Sequence, residues 1–569
     1  MTENDNERRA MMAFVLCLAV YFVWTSIYYP TQPVAVVSDV PAASGGGEVA
    51  SGPVPAAPGE PIADSTPAST PAPSPEPAVI VPDRTEVFSS QFVTGDVHSS
   101  EGAIHDLHLN NYTVGPTVTP LYSWVLGKFT GGSGSWEPYV GGDEPYTMLS
   151  EHGGLVLVGA GTMDPFEGYT IRKDGDALIA TYSSPDGLSV VKTYTPSEED
   201  YILDVSVTFT NNTGQSISDL WVGIVEEMSG DAGRFQNEVR PIAHVEDDIV
   251  HYDSLEDLDG AEREATDAAP AWFGIGDRYF MSVLLPAADA GIGRLIVDDV
   301  PGDEDRYGAF GFTSTPLDAG ATREINLQAY IGPKQLDILK GISPELADAV
   351  ELGWFGFFAV PLLFLLKIFQ SVVINWGVAI LLLTLMVKLA FFPLTQRAFK
   401  SSRMMQAIQP ELKELREKYK DDQQLQSQET MKLFSERGVN PLGGCLPTLI
   451  QLPVWIALYN VMLYSVELYD SSFLYLMDLT KEDPYGALPV IYALLILGQQ
   501  QMMPMGNMDP TQRQVMKLMP LMFAAFMFTF PSGLVLYFCC NILLTIGQQF
   551  LINRTIKIET PTEAEAEAS

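Results

Sequence analysis

Apolar positions follow two periods along this chain. Between residues 84 and 340 the period is two. In Leu203-Asp204-Val205-Ser206-Val207-Thr208-Phe209-Thr210 apolar and polar side chains alternate without a break, and Asn211-Asn212-Thr213-Gly214 supplies a turn. Ile325, Leu327, Ala329 and Ile331 alternate in the same way, while Leu155-Val156-Leu157-Val158 and Gly187-Leu188-Ser189-Val190-Val191 read as further strands. Frequent short strands with Gly, Pro and Asp between them predict a large all-β sandwich, and about 250 residues suffice for its core.

Elsewhere the pattern is long apolar runs. Residues 1–29 contain one from Ala10 to Tyr29 behind Arg8 and Arg9. It has no small-x-small cleavage site, so it predicts an uncleaved signal anchor. Residues 30–83 carry 13 prolines between Pro30 and Pro82 and predict an extended tether. Residues 341–374 end in an aromatic-rich stretch, Trp354 to Phe369, interrupted by Pro361 and Lys367. It reads as an amphipathic helix lying on a membrane surface. Spanning helices are expected over 375–393 and, within 446–552, over Leu446–Val466, Ala487–Met503, Leu518–Phe530 and Leu534–Ile552. With the anchor that makes six. Between them, 394–445 reads as a helical hairpin. Ile408, Leu412, Leu415 and Tyr419 form a narrow seam, Asp421-Asp422 breaks it, and Leu425 to Phe434 resumes it. This is either a solvated structural hairpin or an arm that meets ribosomes and incoming chains. Residues 553–569 are an acidic tail.

Charge sharpens this division. The 569 residues carry 32 Lys+Arg and 71 Asp+Glu, net −39. Residues 30–350 hold 50 of the acids and only 14 of the basic residues, so one soluble acidic domain is set into a nearly neutral membrane protein. Such a balance excludes nucleic acid as a main partner. Nine Lys+Arg fall between Leu394 and Gly444, whereas Glu467–Gly486 holds one lysine and five acids. The positive-inside rule then puts the hairpin, both termini and the tail in the cytoplasm and the β domain outside, in a bacterial inner membrane. All six histidines lie in the acidic block, and none of the four cysteines does.

No Walker A loop, GxSxG elbow, HExxH or CxxC is present, so no nucleotide, cofactor or enzyme site is expected. His105 and His108 fall on opposite faces of a strand, which argues against a metal site. The chemistry that remains is a polar seam in the apolar helices. Lys388 lies inside the second span with Thr384 one turn before it, and a charge at mid-bilayer costs about 2.5–3.5 kcal/mol. Tyr537, Asn541, Thr545 and Gln548 stand at i, i+4, i+8 and i+11 of the last span, and Gln451 adds a polar group from the third. One reading is snorkelling of Lys388 and ordinary interhelical hydrogen bonds. The other is a hydrated cavity open to the cytoplasm. The stretch from Met516 to Phe530 is dense in Met and Phe and suits contact with varied apolar helices.

Several motifs are familiar together. Asn440-Pro441-Leu442-Gly443-Gly444-Cys445-Leu446-Pro447 with Gln451-Leu452-Pro453 resembles the entry to the third helix of the YidC family of membrane protein insertases. Phe530-Pro531-Ser532-Gly533-Leu534-Val535-Leu536-Tyr537 resembles its helix five to six turn. Gly353-Trp354-Phe355, Asn375-Trp376-Gly377, Asp277-Arg278-Tyr279-Phe280 and Tyr330-Ile331-Gly332-Pro333-Lys334 resemble further landmarks. The resemblance implies a periplasmic β-supersandwich and a five-helix core around a groove open to the cytoplasm. It implies a charged groove residue, which here is Lys388; the polar positions Thr384, Gln451, Tyr537, Asn541, Thr545 and Gln548 are expected to line the same groove, and Leu449, Trp455, Phe523, Phe526 and Met527 an apolar slide by which a client helix leaves for lipid. It implies nascent membrane proteins and the bilayer as partners, with the Sec translocon and the ribosome beside them. Lys388 stands where the family usually has Arg, so a cationic groove is expected but not a bidentate fork. The rival readings are a small-molecule transporter and an envelope sensor led by the β domain.

Overall fold

The computed structural model describes residues 84–555, except 116, 119, 124–136, 138, 143, 162–164, 198–200, 228–238, 247, 252–263, 301–302, 421, 439–445 and 503–509. The expected anchor, the tether and most of the acidic tail lie outside the described residues, as does most of the Asn440–Pro447 motif.

The alternating segments form strands, and the strands form two nine-stranded sheets and a two-stranded pair. In the strand Ile202–Asn211, Leu203, Val205, Val207 and Phe209 turn into the core. Its neighbour Thr322–Pro333 runs antiparallel, with Val205 opposite Leu327 and Val207 opposite Ile325. These cross-strand apolar pairs fix the register, because a one-residue slip would turn every one of them to water. The continuous run Leu155–Val158 lies in the other sheet and is buried throughout. Leu157 packs there with Trp221 and Phe310 in a second apolar layer, which is why that strand does not alternate.

Lys192 is fully buried inside the sandwich. It reaches from one sheet to the other, donating to the carbonyls of Glu101 at 2.8 Å and Val156 at 2.9 Å, with its ammonium 4.5 Å from the Tyr169 ring centroid. Burial pushes that ammonium down to about 7.

The helices are α1 (Leu336–Ile342), α2 (Pro344–Ala347), α3 (Gly356–Val373), α4 (Trp376–Ala390), α5 (Phe392–Ala407), α6 (Gln409–Lys418), α7 (Gln423–Glu436), α8 (Leu446–Tyr464), α9 (Ala487–Met502), α10 (Pro510–Phe526) and α11 (Ser532–Thr555). Local chemistry sets several ends. The Asn375 carboxamide caps α4 by accepting from Val378 N at 3.0 Å, and the Asp422 carboxylate caps α7. The expected single span over 375–393 is instead α4 followed by a 59° bend into α5. Pro393 sits in the first turn of α5, where its missing N–H costs nothing. Leu518 was expected to open the fifth span, but α10 begins at Pro510. In the basic segment Ile408 and Leu412 are buried against Leu433 and Phe434, and Arg437 pairs with Glu411 at 2.9 Å, so α6 and α7 lie side by side.

Among the described residues α3 and Ser532–Ile552 are long and apolar enough to cross a membrane, and the bent pair α4–α5 makes a third such unit. Ala487–Met502 and Leu518–Thr529 are shorter apolar helices. Around α11 these helices share one core that includes Ile380, Leu383, Leu458, Val461, Tyr492 and Val535.

The connection 465–486 joins α8 to α9 and faces both halves of the molecule. Val466 and Tyr469 belong to the core of the β domain, while Leu468, Leu476 and Leu479 belong to the helical core. The Tyr469 hydroxyl donates to Val114 O at 2.8 Å, and its ring lies among Tyr146, Tyr279 and Phe280. On the helical side Gly533 N donates to Leu479 O at 2.9 Å, and Phe473 presses on Gly377 at the start of α4.

Candidate functional site

The polar seam runs along α11 from Tyr537, about 6 Å along the helix from Gly533 at the connection, to Thr545 and Gln548 farther on, where it meets Lys388 near the end of α4. Lys388 is twelve residues beyond Trp376, about 18 Å along the helix at 1.5 Å per residue. Its Nζ donates to Thr545 Oγ1 at 2.8 Å. The Thr545 hydroxyl in turn donates to Asn541 O at 2.6 Å. Thr384 is buried one turn from Lys388 and donates to Ile380 O at 2.7 Å. The structure therefore brings together the cation of the second span and the polar stripe of the last. Among the described residues no carboxylate pairs with Lys388.

Gln451 and Trp455 on α8 face the Tyr537 hydroxyl on α11. They do not close good hydrogen bonds. Gln451 Nε2, Trp455 Nε1, Tyr537 OH and Gln548 Nε2 are all buried without a partner among the described residues. Each such group costs about 1–3 kcal/mol in a dry site.

Two residues of this region went unnoticed in the sequence. Cys540 hydrogen-bonds with Thr384 and lies within electrostatic reach of Lys388. Its signal was its position one residue before Asn541, on the flank of the stripe. Gln549 donates to Met502 O at 3.3 Å and keeps an unpartnered Oε1.

The expected apolar slide separates into different environments. Phe523 is 42% exposed and Phe526 half-buried on α10. Met527 is fully buried in the helical core, so it offers no surface to a client, and it drops out of the slide. Trp455 is half-buried and turned towards Tyr537, on the polar side. The Leu449 side chain lies outside the described residues. Leu452, Met519 and Leu521 are exposed apolar residues nearby on α8 and α10.

Comparison with known proteins bears on the whole chain. The family model described as "60Kd inner membrane protein" matches residues 368–560, and that described as "YidC periplasmic domain" matches 167–365. The membrane protein insertase YidC of Geobacter metallireducens is 33% identical over 97% of this chain and 99% of its own length. That of Neisseria gonorrhoeae is 35% identical over 75% of this chain and 81% of its own. A solved structure of an active YidC insertase with its first transmembrane domain resolved is 18% identical, covers 82% of this chain and 94% of its own, and has a TM-score of 0.35. Full-length likeness of this degree, over both the β domain and the helical region, places the chain in the YidC family of membrane protein insertases.

Proposed function

We propose that this protein inserts and chaperones integral membrane proteins in a bacterial inner membrane. The observation that carries the reading is the meeting of the Lys388 ammonium with Thr545 on the polar face of α11 that also carries Tyr537, Asn541 and Gln548. A polar flank of the client enters this wet seam near Lys388, Thr384 and Gln451. Its apolar segment then passes beside α8 and α10, at Leu452, Met519 and Phe523, into lipid. That last step is downhill by about 25 cal/mol per Å² of apolar surface removed from water. No nucleotide, metal or cofactor takes part.

The topology in this reading has six spans: the N-terminal anchor, α4, α8, α9, α10 and α11. Both termini and the α6–α7 hairpin are cytoplasmic, and the β domain is periplasmic. Helix α3 passes a length and hydropathy criterion for spanning, yet its contacts support a surface position. Near its start the Asn460 amide donates to Leu352 O, Lys367 in its second half pairs with Asp337 and Glu467, and just beyond its end Asn375 donates to Ser472 O. All of these partners belong to the β domain, to the connection 465–486, or to the end of α8 that feeds it. A helix crossing the bilayer would leave that side within about 27 Å. The Sec translocon and ribosomes are its working partners, the latter through the basic hairpin, with no direct reading of nucleic acid.

The test is insertion of a short single-span client into liposomes holding only this protein, scored by protease protection. Wild type should insert without ATP. Lys388→Ala should lower the rate roughly tenfold, or about 1.4 kcal/mol, and Lys388→Arg should restore it. Absence of insertion by folded wild-type protein would overturn the reading. Insertion indifferent to Lys388→Ala would remove Lys388 from it.

A further inference from the structure

A cavity of about 760 Å³ lies between α1–α2 at the end of the β domain and the first turns of α3. Its wall has both signs of charge: Lys340 from α1, and Asp348 and Glu351 from the segment after α2. The remainder is apolar or small and includes Leu336, Val350, Leu352 and Val360.

The surroundings identify what fits. On α3, Phe357 is 83% exposed, Phe364 62% and Val372 74%, and these share one face of the helix. A contiguous apolar face of that size on a membrane protein meets lipid. The opposite face buries Ala359, Leu362 and Leu366, and on the flank Lys367 is held to Asp337 of α1 at 2.6 Å. The cavity thus opens where acyl chains give way to head groups. Among the described residues Lys340 has no ion pair. Glu351 is held by Arg240 at 3.3 Å, whereas Asp348 is mostly exposed and meets His244 Nε2 at 3.4 Å.

We propose that this cavity holds the head group of one phospholipid with a primary ammonium, of the phosphatidylethanolamine type, from the outer leaflet. Lys340 donates to the phosphate, Asp348 accepts from the ammonium, and Leu336 and Val360 cover the glycerol end. The pairing of a donor wall with an acceptor wall selects against the two alternative head groups. Phosphatidylglycerol lacks the cation, and phosphatidylcholine has no N–H to donate. The lipid would act as a wedge between the β domain and α3. The proposal rests on α3 lying at the membrane surface.

The test uses the full chain in nanodiscs of each of the three lipids, and then in their equimolar mixture. Lipid retained on the protein after release is counted by native mass spectrometry. One phosphatidylethanolamine per chain should be retained in preference to the others. Lys340→Glu and Asp348→Lys, both at the surface, should each reduce its retention roughly tenfold. Equal retention of phosphatidylglycerol, or variants indistinguishable from wild type, would overturn the site. Quenching by brominated lipid, read as the difference between wild type and Trp354→Phe, separates the two layers of the argument. Quenching without a head-group preference sinks the cavity assignment alone. No quenching sinks the surface position of α3 and the site with it.

Discussion

Single side chains at the junction of the two halves have consequences that can be measured. Gly377 opens α4 against the Phe473 ring, and a Cβ there would fall inside the ring's van der Waals envelope. Gly377→Ala should therefore cost about 1–3 kcal/mol, seen as a lower Tm in detergent. Glu482 lies in the same connection, half-buried and accepting from the Tyr122 hydroxyl at 3.0 Å, and desolvation pushes its carboxyl up to about 7. The fold then holds a proton that the unfolded chain releases above its ordinary value near 4.5. Between those two values stability falls as pH rises, and above the upper one the full penalty stands, at most about 3 kcal/mol. His105 has the opposite effect, because burial pushes it down to about 4 and the unfolded chain binds the extra proton up to about 6.5. Lys192 is charged in both states below about 7 and adds no slope there. The informative quantity is thus the difference between wild type and Glu482→Gln from pH 5 to 8. The variant should gain stability relative to wild type as pH rises, with hydrogen exchange changing in 465–486. A constant difference across that range would remove Glu482 as the cause.

The connection 465–486 is the element that makes one molecule of the sandwich and the bundle. Tyr469 is its anchor on the β side, and Tyr469→Ala should cost roughly 3–5 kcal/mol locally. Amides of 465–486 should lose protection from exchange while those of Ile202–Asn211 keep theirs; unchanged protection in the connection would refute this. Nothing local in the sequence announces Tyr469, because its partners Tyr146, Tyr279 and Phe280 lie 189 or more positions earlier in the chain. What the sequence does announce is whatever has a period. Leu188, Val190, Lys192 and Tyr194 share one phase, so even the buried lysine stands in an inward register. The stripe from Tyr537 to Gln548 and the seam at Ile408 and Leu412 were legible for the same reason, one polar face or one apolar face on a helix. The early start of α10 was not. Thr511, Gln512, Arg513 and Gln514 carry no apolar signal, and only an amphipathic continuation extends the helix through them. Met527 was misplaced because a helix apolar on every side gives no sign of which side meets lipid and which meets protein.

The molecule as a whole separates its two tasks by distance. The Lys388–Thr545 contact lies about 18 Å along α4 from the end that meets the connection and the β domain. Nothing from the β domain reaches the polar seam among the described residues, so in the proposed reading the sandwich acts on the groove only through the helix ends that meet the connection 465–486. Removing residues 84–335 and joining the tether to Leu336 should then change insertion by folded protein by less than about threefold, under ~1 kcal/mol. Stability is a different matter. Val466 and Tyr469 would be stripped of their cover, Lys367 would keep only Glu467, at 2.7 Å, if Asp337 frays with α1, and the thermal midpoint of the helical part should fall. Adding Tyr469→Gln and Val466→Thr to the truncated chain should recover solubility without altering the insertion rate, because both positions face the lost domain and not the seam. If truncated protein that is demonstrably folded fails to insert a client, the β domain handles the client itself. The division of labour between an outer stabilising unit and an inner wet groove would then have to be abandoned.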